Sequence, residues 1–76
     1  MSGEQGRLAW RCRRGMKELD MVLVRFLRER WPDATSAEKA SFERILDLPD
    51  PLLAAYLTGR EQSPDGEVQG LLEQMR

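Results

Sequence analysis

The chain has 76 residues, twelve Lys/Arg against thirteen Asp/Glu, and a formal net charge of −1. That length allows one small domain whose core stabilises it by roughly 3–5 kcal/mol, with no second domain to close a cleft over a substrate. There is no His and only one Cys, which excludes the usual zinc spacings, a Cys–His pair and a disulfide framework, and fits a reducing compartment.

The first six residues, Met1-Ser2-Gly3-Glu4-Gln5-Gly6, lack the apolar stretch of a signal peptide and the Arg/Ser-rich pattern of a transit peptide. They predict a short flexible tail on a cytoplasmic protein, with a single helical domain over 7–76. A first helix is expected from about Gln5 to Arg13, where Leu8 and Cys12 share an i,i+4 stripe. Cys12 reads as a small core residue. Trp10 lies to one side of the stripe, as core edge or contact surface. Gly15 is the natural stop, because glycine reaches the left-handed conformation without a Cβ clash.

A second helix is predicted over about Met16 to Arg30. Leu19, Val22, Leu23, Phe26 and Leu27 form an amphipathic stripe, read as core, with Arg25, Arg28 and Glu29 on a solvated face. Trp31-Pro32 ends it, since the residue before proline is pushed out of the helical region; Trp31 reads as core edge. Thr35-Ser36-Ala37-Glu38 matches a capping box and opens a third helix with Phe42, Ile45 and Leu46 buried. Asp50-Pro51 opens a fourth, with Asp50 as cap and Pro51 at the first helical position. Leu52, Leu53, Tyr56 and Leu57 carry its apolar surface, and Gly59 closes it. The fifth follows Ser63-Pro64-Asp65, with Val68, Leu71, Leu72 and Met75 at helical spacing. Gly66 and Gly70 each weaken it by roughly 1 kcal/mol relative to alanine, so its end is expected to fray. No segment alternates with period two and no apolar run reaches membrane-spanning length. The expectation is an all-α, compact five-helix bundle, monomeric and not inserted in a membrane.

Charge is unevenly spread. Residues 1–30 hold eight basic residues against Glu4, Glu18, Asp20 and Glu29, and the remainder reverses the balance. This predicts a basic and an acidic face, not a polybasic binder. The densest stretch is Arg11-Cys12-Arg13-Arg14-Gly15-Met16-Lys17-Glu18-Leu19-Asp20. A bend this charged costs stability through like-charge repulsion and reads as a surface that meets a partner. Within it, Gly15 permits close backbone approach. Arg14 offers a planar fork for a carboxylate or carbonyls. Glu18 is favoured by the dipole at the start of the second helix. The bland reading is a helix C-cap at Gly15 and a surface Arg14–Glu18 pair contributing at most a few tenths of a kcal/mol.

The chain resembles the small bacterial succinate dehydrogenase assembly factor family, whose mitochondrial relatives are called succinate dehydrogenase assembly factor 2. The resemblance runs from Arg7 to Arg76. Its anchors are Trp10 through Asp20, Phe26-Leu27, Phe42-Glu43-Arg44-Ile45-Leu46, and Asp50-Pro51-Leu52 leading into Tyr56-Leu57. The family signature Arg-Gly-x-x-Glu falls on Arg14, Gly15 and Glu18. Tyr56 stands where many members have Trp. The resemblance implies a factor that binds the flavoprotein subunit of succinate dehydrogenase, and in bacteria also fumarate reductase, and promotes covalent attachment of FAD to a histidine of that client. FAD would then belong to the client, with none bound permanently here. Arg14, Gly15 and Glu18, with Arg11, Met16, Asp20 and Trp10 around them, are the expected partner-binding residues.

The alternative is a nucleic-acid-binding small helical regulator, suggested by the Arg cluster beside Trp10, or an antitoxin-type one, which only the resemblance implies because some bacterial members carry that label. The acidic balance downstream speaks against a coherent basic face. An enzyme is disfavoured: without His or a nucleophile–base pair, the residues offer no tuned acid–base groups in a pocket.

Overall fold

The computed structural model describes residues 3–75. They form α1 (Gly3–Arg11), α2 (Lys17–Glu29), a 3₁₀ turn (Trp31–Asp33), α3 (Ser36–Leu46), α4 (Asp50–Leu57) and α5 (Gly66–Met75), with no strand among them. The all-α class is as expected, and none of the described helices is long and apolar enough to cross a membrane. The chain divides into two compact units, Met1–Asp33 and Ala34–Arg76.

In the first unit α1 begins at Gly3, inside the stretch read as a tail. Met1 and Ser2 lie outside the described residues. Gly3 and Gly6 lower helix propensity, but propagation costs far less than nucleation. A helix sustained by Arg7-Leu8-Ala9 therefore extends back through them. The buried apolar residues of this unit are Leu8, Cys12, Leu19, Leu23, Phe26, Leu27 and Trp31. Val22, read as core, is only half-buried. It stands one residue, or about 100° of helix, from the fully buried Leu23. α2 ends where Arg30 N–H donates to Phe26 O at 2.8 Å. The Arg30 guanidinium lies 5.8 Å from the Phe26 ring centroid, within cation–π range.

The second unit starts with the capping box. Glu38 N–H donates to Thr35 Oγ1 (3.1 Å), and Thr35 N–H donates to Glu38 Oε1 (2.9 Å). Phe42, Ile45 and Leu46 are buried as expected. At α4 the cap falls one residue earlier than expected. Pro49 (φ −61°, ψ 147°) holds the cap position, Asp50 is the first helical residue and Pro51 the second, and no side chain caps the end. Pro49 is already extended with its φ locked, so the helix can enter immediately after it. Pro51 fits because the second helical N–H also lacks an intrahelical partner.

Gly59, at φ 80°, closes α4 as expected. Arg60 N–H donates to Ala55 O (2.9 Å) and Gly59 N–H to Tyr56 O (3.2 Å), the paired bonds of a Schellman motif. Asp65 caps α5, its Oδ1 accepting from Glu67 N–H (3.0 Å) and Val68 N–H (3.2 Å). Its Oδ2 meets Arg44 Nε of α3 at 3.3 Å. Val68, Leu71, Leu72 and Met75 are buried, so α5 is anchored up to Met75 despite its two glycines. Burial of apolar side chains, at ~1.5–3 kcal/mol each, outweighs the propensity cost.

Candidate functional site: the bend between α1 and α2

α1 ends at Arg11, two residues short of the expected position. Cys12 N–H is shared between Leu8 O (3.1 Å) and Ala9 O (3.2 Å), and Arg13 N–H turns to Trp10 O (3.1 Å). This tightening ends the helix without glycine. Gly15 lies farther on, at φ 79° in the middle of the bend. Its left-handed conformation was expected; its role as the stop of the first helix was not met. Because α2 begins only at Lys17, Arg14 lies outside it, and the helical i,i+4 pairing with Glu18 does not apply.

Asp20 organises the bend. From the first turn of α2 its carboxylate reaches back six residues. Oδ1 accepts from Arg14 N–H at 3.0 Å, and Oδ2 accepts from Gly15 N–H at 3.2 Å. Asp20 N–H meanwhile donates to Met16 O at 2.8 Å, starting the helical ladder. Met16, the residue before α2, makes no side-chain capping bond. Asp20 therefore satisfies backbone donors that the local sequence leaves open, the part-buried Arg14 N–H and the exposed Gly15 N–H.

Cys12 is fully buried beneath the bend. Desolvation pushes its thiol up to about 11; nearby Arg14 and Arg11 oppose that shift and Asp20 adds to it. The thiol is therefore a neutral core group at physiological pH and no nucleophile. Arg14 is half-buried with its Nε shielded from solvent. Arg11 is also half-buried, while Arg13, Gly15, Met16, Lys17 and Glu18 are exposed.

Among the described residues of this unit, three large apolar side chains stand in solvent: Trp10 (75 % exposed), Met21 (64 %) and Met16 (38 %). Trp10 is resolved outward. Two helical steps separate it from both Leu8 and Cys12, about 200° away from the buried stripe. With Gly6, Ala9 and Arg13 it borders a shallow depression. A larger groove of about 850 Å³ starts at Arg13 and Gly15 and runs past Glu18, Met21 and Val22 to Arg28 and Glu29. The bend and the outward face of α2 are thus one continuous surface. Contiguous exposed apolar groups rimmed by charge mark interaction sites.

The structure brings Gly15, Glu18 and Asp20 together at the groove, with Met16 exposed nearby and Trp10 on the preceding helix. Sequence reasoning missed Met21 and treated Arg25 and Arg28 only as a solvated face. The signal was the 3,1,3,3,1 spacing of Glu18, Met21, Val22, Arg25, Arg28 and Glu29, which is one helical face. Among the described residues no group of three or more His, Cys, Asp or Glu side chains could hold a metal.

Fold and site define a small all-helical protein presenting a braced, exposed bend. Residues 6–76 match the family model described as "flavinator of succinate dehydrogenase" (Sdh5), and the chain belongs to that family. It is 39% identical over 70 residues to the FAD assembly factor SdhE of Coxiella burnetii, covering 92% of this chain and 85% of that one. It is 41% identical over 73 residues to the FAD assembly factor SdhE of Methylococcus capsulatus, covering 96% and 88% respectively. The corresponding Legionella pneumophila protein is 38% identical over 73 residues, covering 96% and 91%. These relatives favour the assembly-factor expectation over the antitoxin or nucleic-acid alternative.

Proposed function

We propose that this chain is an FAD assembly factor. It binds the flavoprotein subunit of succinate dehydrogenase, and of fumarate reductase where the cell makes one, and promotes covalent attachment of FAD to that client. The observation that carries the reading is the bend itself. Its backbone is held from within by Asp20, while Gly15, Met16 and Glu18 face outward. Arg11, Arg14 and Trp10 complete the proposed contact region.

The factor works by binding, not by chemistry of its own. The chain has no His, and its one thiol is buried and protonated. A helper of this kind stabilises a client conformation in which flavin and acceptor side chain are already aligned. Alignment lowers the barrier by removing orientational freedom before the reaction. Glu18 sits in the first turn of α2, where the dipole favours its charge, and accepts from client donors. Gly15 lets the client backbone come close, with no atom within 4 Å of the position a Cβ would take. The client is met in the cytoplasm.

The test is covalent flavin on the client, read as fluorescence of the denatured flavoprotein subunit, in cells whose only copy of the factor is Glu18→Ala. Glu18 is exposed, so helix content and melting temperature should match the parent while client fluorescence falls. Full covalent flavin in that strain would remove Glu18 from the contact. Covalent flavin that is independent of the factor altogether would remove the function.

A further inference from the structure

We propose that Asp20 is a positioning residue for client docking and touches no part of the client. The inference rests on the assembly-factor reading and deepens it. Asp20 sits inside the signature stretch, and its charge and place suggest another contact group alongside Glu18. The geometry assigns it differently. Both carboxylate oxygens are engaged by the chain's own backbone, Oδ1 by Arg14 N–H and Oδ2 by Gly15 N–H. The two bonds hold consecutive amides, and the second of these residues, Gly15, has φ 79°.

Two adjacent amides aimed at one carboxylate form a small anion-binding concavity, here filled by a residue of the same chain. Charge-assisted bonds of this kind are stronger than neutral ones and directional. They fix the peptide joining Arg14 to Gly15 and so set where the Arg14 and Glu18 side chains leave the surface. Without the carboxylate the bend samples other conformations, because glycine has wide conformational freedom. The client then binds only the fraction that is correctly shaped. A competent fraction reduced tenfold weakens apparent affinity ~10-fold and leaves the bound complex unchanged. Glu18 differs on each point: it is exposed, and its loss deletes a contact without altering the bend.

The experiment compares Asp20→Ala, Asp20→Asn and Glu18→Ala in the full chain. Affinity for the purified apo-flavoprotein subunit is read by titration, the flavinylation rate is read at saturating factor, and exchange of the Arg14 and Gly15 amide protons is followed by NMR. For Asp20→Ala the expected result is roughly tenfold weaker binding, a parental rate at saturation, and fast exchange at both amides. Asp20→Asn keeps one acceptor oxygen, so it should protect one amide and fall between; it carries the test alone if Asp20→Ala loses helix. Glu18→Ala should bind weakly with both amides still protected.

A double-variant cycle gives the second readout. In a Gly15→Ala background, where the bend is already perturbed, removing Asp20 should cost much less than in the parent. Additive losses, or weak binding by Asp20→Ala with both amides protected, would overturn the assignment and make Asp20 a contact. Parental binding by Asp20→Ala would also overturn it. Failure of the parent chain to bind the flavoprotein would instead refute the assembly-factor reading.

Discussion

Replacing Gly15 by alanine isolates the conformational part of the bend from its contact part. At φ 79° an L-residue pays for the approach of its Cβ to the following carbonyl, a cost of roughly 1–2 kcal/mol. Nothing is added by crowding, because the new Cβ meets no atom within 4 Å. The unfolded chain, stiffened by alanine, returns about 0.4–1 kcal/mol. The net expectation is about 1 kcal/mol of destabilisation. In a domain of this size that lowers the melting temperature by about 4–8 °C. Gly15→Asn should lose less, since asparagine tolerates the left-handed region. Gly15→Arg should melt close to Gly15→Ala, because its first side-chain atom enters the same open space.

The assay is thermal unfolding by circular dichroism on all four proteins, with covalent client flavin measured in parallel. Alanine and arginine should separate only in the second measurement. On the proposed close approach at Gly15, arginine fills the space the client would enter, so client flavin should fall further. Equal melting temperatures for glycine, asparagine and alanine would refute the left-handed bend. Equal client flavin for alanine and arginine would refute the close approach.

Gly70→Ala should raise stability by about 1 kcal/mol, seen as a higher urea midpoint, because Gly70 is inside α5 and its Cβ position is open. Thr35→Ala removes half of the capping box and should cost about 1 kcal/mol in the same assay. Cys12 gives a pH test. Its folded pKa, about 11, lies above the ordinary thiol value of 9.0, so between those values the folded state holds a proton that the unfolded state releases. Its contribution is therefore full below about pH 9 and declines as pH rises through 11, and denaturant midpoints measured across that window should fall more for the parent than for Cys12→Ala. Thiol reagents at neutral pH should label the native protein slowly and the unfolded protein fast.

Much of the fold was legible because its signals are local. Thr35 and Glu38 lie three residues apart, and a capping box needs nothing more. Phe42, Ile45, Leu46, Leu71 and Leu72 are buried where the helical period places them. The site was less legible because its key bonds are not periodic. Asp20 reaches residues five and six positions earlier across a bend, outside the i,i+3 and i,i+4 relations by which helical neighbours are recognised. The usable clue was the set of N–H groups that a bend before a helix leaves unsatisfied, with an acid one turn downstream. Val22 was misjudged, and Met21 left unassigned, for another reason. A stripe wide enough to include Val22 counts it as core, but Val22 stands at the edge of that stripe and, with Met21, lines the outward groove of α2. The starts of α1 and α4 each moved because a boundary depends on propagation and on one proline rather than on a pattern.

The depth at which Cys12 lies has a consequence for the company this protein keeps. Reduced flavins pass electrons to oxygen and release hydrogen peroxide, so a flavin attendant works close to an oxidant source. Peroxide attacks thiolates that it can reach. Cys12 is neither ionised nor reachable. Among the described residues, the sulfur exposed to oxidation is in Met16 and Met21, on the surface proposed to meet the client. A sulfoxide there is reversible by reductases, so wear from oxygen chemistry falls on repairable side chains and spares the interior.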